Sequence, residues 1–318
     1  MIGTGHLKFA DFRTLIERNP AIEWIELSNY GEIFLNPDLL QILEFAHRRG
    51  VRLTADNGTN LNTAAPAVLE GLAKYRFRRL SCSIDGATPE TYAKYRVGGD
   101  FEAVLANIQQ IRAAKRLYRT PYPLLTWQFV VFPHNTHEVE AARSLAAQLG
   151  MRFVAKLCWT EGRGSPSRRA FRDLYGVEFT RGICHQLWVS PQINWDGRIL
   201  GCCRNFWAEF GGNAFTDGVL AVSNSEPIQY ARGMLLGKNP AREGVPCSTC
   251  EQYLSMARDG RWLLPSEIGL PRRALSWAYR HGLGTPVTFF TLGILARAAQ
   301  IVTPGGRLDG FLRRRSLL

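Results

Sequence analysis

Apolar positions along the first half of the chain switch between two rhythms. Short apolar runs that suit strands are each followed by stretches where apolar residues recur every three or four positions, as on one helix face. Phe9–Arg18 is predicted as an opening helix and residues 22–28 as the first strand. Asn36 and Pro37 then start a helix with Leu39, Leu40, Ile42, Leu43 and Ala46 as its buried stripe, closed by Gly50. Residues 51–55 form the next strand, 64–73 a helix and 79–84 a third strand. Thr88 and Pro89 open a short helix, and Asp100 caps a longer one that turns Val104, Leu105, Ile108 and Ile111 inward. Residues 124–132 are almost continuously apolar, as in a strand buried on both faces. A helix over 136–149 stops at Gly150, and residues 151–158 are the last strand of the series.

Five strands alternating with helices predict an α/β protein with a parallel sheet and right-handed crossovers. The rhythm stops after Trp159, where residues 161–167 read as a linker. Residues 182–253 hold five of the seven cysteines, with short strands predicted at 192–195 and 198–200 around an Asp196-Gly197 turn. From Leu264 onward the chain reads as helical and basic. The expected organisation is residues 1–160, then a cysteine-rich unit over 180–255, then an extension over 260–318.

Composition narrows the picture in two ways. Of 318 residues, 46% are hydrophobic and 21% charged, a globular rather than a disordered balance. Lys and Arg total 39 against 27 Asp and Glu, a formal charge of +12 that favours an anionic partner. Residues 1–8 lack the basic and apolar regions of a signal peptide, so a cytoplasmic location is expected. In that compartment seven cysteines point to metal, redox chemistry or burial rather than to disulfides.

Cys184, Cys202, Cys247 and Cys250 carry the sharpest chemical signal. The first two form Cys-x(12)-Gly-x(4)-Cys and the last two Cys-x(2)-Cys. The turn at Asp196-Gly197 folds the chain back between the first pair, and the tight second pair offers two more thiolates. Four thiolates suit a [4Fe–4S] cluster and also zinc. Cys203, beside Cys202, is a substitute ligand, whereas Cys82 and Cys158 read as buried inert thiols.

At these residues the chain resembles radical S-adenosylmethionine proteins with a SPASM or twitch-type C-terminal domain. That domain carries Cys-x(9–15)-Gly-x(4)-Cys followed by Cys-x(2)-Cys, matched by Cys184, Gly197, Cys202, Cys247 and Cys250. With four cysteines it is similar to the shorter twitch form, which holds one auxiliary [4Fe–4S] cluster. The resemblance implies a partial parallel (β/α)6 barrel lacking its first strand, then a small cysteine-rich α+β auxiliary-cluster domain and a helical C-terminal extension. Asn29, Gly31 and Glu32 stand where the family has Gly-Gly-Glu-Pro, so Glu32 and its loop are expected to hold the methionine amino group. Asp56-Asn57-Gly58 occupies the place of Thr-Asn-Gly, and Ser83-Ile84-Asp85-Gly86 matches Ser-x-Asp-Gly beside the ribose. All three elements are predicted at C-terminal strand ends, where barrel sites are built.

The family's Cys-x(3)-Cys-x(2)-Cys is missing, since no cysteine precedes Cys82. S-adenosylmethionine and a second [4Fe–4S] cluster are therefore expected only if an upstream segment supplies those ligands. Such a segment is expected, because losing a first strand would bare the edge and apolar flank of residues 22–27.

Gln128, His134 and Asn135 at the fifth barrel strand and Lys156 and Trp159 at the sixth are further candidates for substrate contact. Trp188, Trp195, Phe206 and Trp207 are expected to pack around the cysteine ligands. Residues 285–302 are apolar but interrupted by Pro286, Gly293 and Arg297. Together with Arg313, Arg314 and Arg315 they suit core packing, or a peripheral contact with an anionic membrane. The resemblance implies an enzyme that oxidises or modifies an anionic small molecule or peptide by hydrogen abstraction, served by a flavodoxin or ferredoxin and without nucleic acid. The rival reading is a catalytically silent scaffold that binds iron–sulfur or zinc.

Overall fold

In a computed structural model of the chain, residues 2–158 and 182–264 are described, together with 170, 171, 173 and 268. Five parallel strands lie side by side in chain order: β1 (Trp24–Glu26), β2 (Arg52–Thr59), β3 (Arg79–Ser83), β4 (Leu124–Val131) and β5 (Arg152–Leu157). Helix α1 (Phe9–Arg18) precedes them, and α2 (Leu39–Arg48), α3 (Pro66–Lys74), α4 (Pro89–Tyr95), α5 (Phe101–Leu117) and α6 (Val139–Gln148) connect them. Sequential strand order with right-handed crossovers places the connecting helices on one face of the sheet.

The register then sorts the side chains. Leu53, Ala55, Leu80, Cys82, Leu125, Trp127, Phe129, Val131 and Ala155 share one core with helix residues such as Leu43, Leu72, Ile108 and Ala142. The partners in register on the other face are polar: Glu26 with Thr54, Ser81 with Thr126, Ser83 with Gln128, and Thr126 with Arg152. Strand β4, expected to be apolar on both faces, alternates instead. Its Leu125, Trp127, Phe129 and Val131 enter the core, while Thr126 and Gln128 join the polar face. A sheet with helices on one side and charged or hydroxyl side chains on the other has its chemistry on that polar face, bare of the connecting helices although Thr54, Ser81, Ser83 and Gln128 are buried there.

Two further boundaries differ from expectation. Helix α2 begins at Leu39, after Asn36 accepts the Asp38 N–H (2.9 Å) and Asp38 accepts the Phe9 N–H (2.8 Å), so this turn serves α1 rather than capping α2 through Asn36. Strand β2 continues to Thr59 because its pairing with β3 shifts register between Ala55 and Thr59, where Gly58 takes φ +112°.

The cysteine-rich residues form a second core around Leu187, Ile199, Phe210, Ile228, Met234 and Tyr253. Its elements are α7 (Gln186–Val189), the antiparallel hairpin β6 (Gln192–Ile193) and β7 (Ile199–Gly201), α8 (Val219–Ser223), α9 (Glu226–Leu235) and α10 (Glu251–Asp259). The hairpin is shorter than predicted. Asn194 turns its amide to the Ile2 carbonyl and to Asp196, and the Trp195 indole N–H also donates to Ile2. Leu15 of α1 is buried in this second core, and Leu7, Ile22 and Ile25 pack against both. The apolar flank of β1 is thus covered from two sides, although β1 pairs with β2 alone among the described residues. No described helix is long and apolar enough to cross a membrane. The linker, Trp159 and the helical extension expected beyond Leu264 fall outside the described residues, apart from Ile268.

Candidate functional site

The C-terminal ends of the strands are tied to one another through side chains. Glu26 ends β1, and its carboxylate accepts the Ser28 N–H (3.0 Å) and hydroxyl (2.6 Å), the Thr54 hydroxyl (2.6 Å) and the Asp56 N–H (3.0 Å). The Ser28 oxygen in turn accepts the Asn57 N–H at 3.0 Å, so the loops after β1 and β2 form one network. Burial pushes the Glu26 carboxyl above its usual range, and the neighbouring charge of Asp56 adds to the rise. Desolvation also raises Glu32, which caps the short turn Ile33–Leu35 and accepts N–H groups from Asn60 (2.6 Å) and Phe34 (3.3 Å). Its carboxylate is also engaged by the Ile33 N–H, and since a carboxylate has about four lone-pair sites, one acceptor position remains on Glu32.

Gly31 carries φ +79° at the apex of the first loop, with nothing within 4 Å of where a Cβ would sit. Gly58 is the opposite case. A Cβ there would stand 2.3 Å from Ser83 Oγ and 2.7 Å from Gln128 Nε2, so only glycine lets the backbone pass this close. Asn57 is exposed beside it, and Ser83 is nearly buried. The expected cofactor residues Asn29, Gly31, Glu32, Asn57 and Ser83 therefore all lie on loops or strand ends at the C-terminal ends of β1, β2 and β3.

Asp85 lies deeper. It is fully buried, with Oδ1 accepting the Val130 N–H (2.6 Å) and Oδ2 paired with Arg96 (2.7 Å). Desolvation raises its pKa against the pull of Arg96. Asn135 donates to the Asp85 and Val130 carbonyls at 3.0 and 2.9 Å and fixes the same turn. Both residues are placed as braces beneath the strand ends.

On the bare face, Asp56 receives a two-pronged contact from Arg79 (3.0 and 2.6 Å), whose guanidinium stacks on Trp24. Lys156 donates to the Gln128 amide oxygen, and burial lowers its pKa although Asp56, Glu26 and Asp85 oppose the shift. Arg152 lies farther down β5. This face joins two acids, three bases and several hydroxyls. His134 stacks on Phe132 at 5.4 Å, and its Nε2 is buried without a hydrogen-bond partner.

The four expected metal ligands come from three separated segments and all pack in or against the second core, near enough for their thiolates to influence one another. Burial lifts Cys184 to about 12, and Cys202 and Cys250 repel its thiolate further. Cys247 is pushed up by burial and then by Cys202, Cys184 and Cys250. Burial and Cys202 raise Cys203 to about 11, and its side chain is engaged by Gln186. Mutual repulsion among buried thiolates is relieved by a metal centre, so the donor chemistry fits one. Among the described residues, no group of three or more His, Cys, Asp or Glu side chains is placed to hold a metal ion. Trp188 packs on this core and the Trp207 N–H reaches the carbonyl of Pro246, next to Cys247 (3.2 Å). Trp195 turns instead to Ile2, and Phe206 is 56% exposed. Cys82 is fully buried within the sheet core.

The loop after β1 touches the cysteine-rich unit. Tyr30 donates its hydroxyl proton to the Cys203 carbonyl at 2.7 Å, and Asn29 donates to the same oxygen at 3.3 Å. Tyr30 and Glu26 were not singled out from sequence. For Glu26 a signal existed: a carboxylate inside the strand pattern Trp24-Ile25-Glu26-Leu27, on the same side as Trp24.

Comparison with known proteins adds relatives to this geometry. No protein-family profile matches the chain. A stretch of 122 residues, 38% of the chain, is 35% identical to the AdoMet-dependent heme synthase of Methanosarcina barkeri. The chain spans about a third (32%) of that synthase's length. Streptococcus suis SuiB bound to S-adenosylmethionine aligns with 77% of the chain at a TM-score of 0.55 and 13% identity, covering 64% of SuiB. SuiB bound to its precursor peptide SuiA aligns over the same share at a TM-score of 0.57 and 12% identity, covering 63% of that protein. The chain has the α/β fold of SuiB and shares a homologous stretch with a synthase that depends on S-adenosylmethionine.

Proposed function

We propose that this chain is a radical S-adenosylmethionine-type iron–sulfur protein whose cysteine-rich unit holds an auxiliary [4Fe–4S] cluster on Cys184, Cys202, Cys247 and Cys250. The observation that carries the reading is that these four thiols, from three segments, share one core whose Cys203 backbone is bonded to a strand-end loop of a sheet with the SuiB fold.

In this reading Asn29, Gly31, Glu32, Asn57 and Ser83 hold the adenosyl ligand. The remaining acceptor position of Glu32 takes its ammonium group, and Gly58 lets the backbone approach. Asp85 acts through Val130 and Arg96 to position the strand ends. When bound, the clusters supply one-electron chemistry. The three-cysteine element that would hold the cluster for cleaving S-adenosylmethionine is not in this sequence, so cleavage is a property proposed for the whole protein. Arg152 and Lys156 on the bare face suit a substrate with an anionic group. A peptide is the favoured class, because SuiB binds a precursor peptide.

The test is iron and acid-labile sulfide per chain after anaerobic reconstitution, with Cys247→Ala as control. About four irons per chain, falling sharply in the control, is the expected result. Zinc in place of iron would overturn the reading and leave a metal-binding scaffold.

A further inference from the structure

We propose that Tyr30 is a positioning residue that transmits occupancy of the strand-end loops to the cysteine centre through the Cys203 backbone. The inference rests on the proposed function for the identity of the two sites it joins. Its own basis is a pattern of contacts.

The backbone of Cys203 is held on both sides of its Cα by different parts of the molecule. Its N–H donates to the Gln186 side chain at 2.8 Å, and Gln186 lies two residues beyond Cys184. Its carbonyl takes two donors from the loop after β1, the Tyr30 hydroxyl at 2.7 Å and the Asn29 amide at 3.3 Å. A carbonyl oxygen has two lone pairs, and the loop fills both. Cys202, the preceding residue, presents its sulfur to the same thiol group as Cys184 and Cys250.

The other end of the link is the candidate ligand loop itself. Tyr30 sits between Asn29 and Gly31, and the backbone at Gly31 has open space beside it. The loop is therefore clamped on the cysteine side and open on the other. Glu32 anchors its far end through Asn60 and Phe34, and Ser28 anchors its near end through Glu26. With both ends fixed, a ligand that moves the apex moves the Tyr30 hydroxyl, and the Cys203 carbonyl follows. Hydrogen bonds near cluster ligands set the properties of such centres, so the displacement has an electronic readout.

The experiment uses the full chain, reconstituted anaerobically, with millimolar S-adenosylmethionine as the probe. Iron content and probe binding by calorimetry are measured first. Hydrogen exchange over residues 200–206 and the electron paramagnetic resonance of the reduced cluster then follow, with and without probe. In the wild type, the probe is expected to slow exchange in that segment about fivefold, the effect of one hydrogen bond's worth of stabilisation, and to shift the resonance. Tyr30→Phe keeps the ring and is expected to bind the probe while losing both responses. Gln186→Ala, which frees the N–H on the other side of the same residue, is expected to lose the resonance shift as well. Equal responses in wild type and Tyr30→Phe would overturn the coupling alone, as would a wild type that binds the probe without responding. A chain that takes up iron but binds no probe would likewise overturn the coupling alone, whereas one that takes up no iron would sink the functional reading and the coupling with it.

Discussion

Asp85 shows how one side chain can matter to a site that it does not face. Its carboxylate is sealed between the Val130 N–H and Arg96, and the Asp85 backbone carbonyl accepts from Asn135. Removing one partner of a buried ion pair strands the other charge and an amide donor, which costs about 3–5 kcal/mol. Asp85→Ala is expected to lose that much stability in urea titration and to weaken binding of an adenosyl ligand. The iron content of the cysteine centre is expected to stay within error, because those thiols belong to the other core. An unchanged urea midpoint would show that the pair is not a brace.

At the scale of elements, the hairpin between Cys184 and Cys202 depends on one backbone position. Gly197 has φ +88°, and a Cβ there would stand 2.1 Å from Asn213 Oδ1. Asn213 cannot swing aside freely, since its Oδ1 accepts the Phe215 N–H (2.9 Å) and its Nδ2 donates to the Asp196 carbonyl (2.8 Å). Gly244 has a similar φ of +80° with nothing within 4 Å. Backbone strain of about 1–3 kcal/mol applies to alanine at either site, and the clash adds to it only at Gly197. Thermal melts should therefore rank Gly197→Ala below Gly244→Ala, and reconstituted iron should fall in the first and not in the second. The reverse order would show that the turn does not set the cysteine spacing.

The same elements show what the sequence made legible. Strand–helix alternation located the five strands because each apolar row has its period, and Asp196-Gly197 announced its turn through residue type alone. The bare polar face was harder to see. The apolar row of β4 masked Thr126 and Gln128, and polarity on a face has meaning only once neighbouring strands are in register. Tyr30 was out of reach for a different reason. Its partner lies 173 residues away, and a backbone carbonyl leaves no trace in the sequence.

For the whole molecule, the consequential feature is that the two cores share residues. Leu15 on α1 is buried in the cysteine-rich core, while Phe12 and Ile16 of the same helix belong to the sheet core. Ile22 and Ile25 touch both, and the seam is crossed by hydrogen bonds from Val219 to Asn19 (2.9 Å), Trp195 to Ile2 (3.0 Å) and Tyr30 to Cys203 (2.7 Å). A helix that divides its apolar face between two cores cannot leave one without disturbing the other, so the metal-free chain is expected to unfold in one step. Urea titrations followed by far-ultraviolet circular dichroism and by tryptophan fluorescence test this, since coincident curves mark a single transition. Dichroism weights the helices around the sheet, whereas fluorescence adds Trp188, Trp195, Trp207 and Trp262 of the second unit to Trp24 and Trp127 of the sheet. Leu15→Ala removes a buried leucine from the seam and should lower both midpoints together, by about 2–5 kcal/mol. A fluorescence transition that moved alone would mean that the cysteine-rich unit folds by itself. The coupling through Tyr30 would then join two independent bodies rather than parts of one.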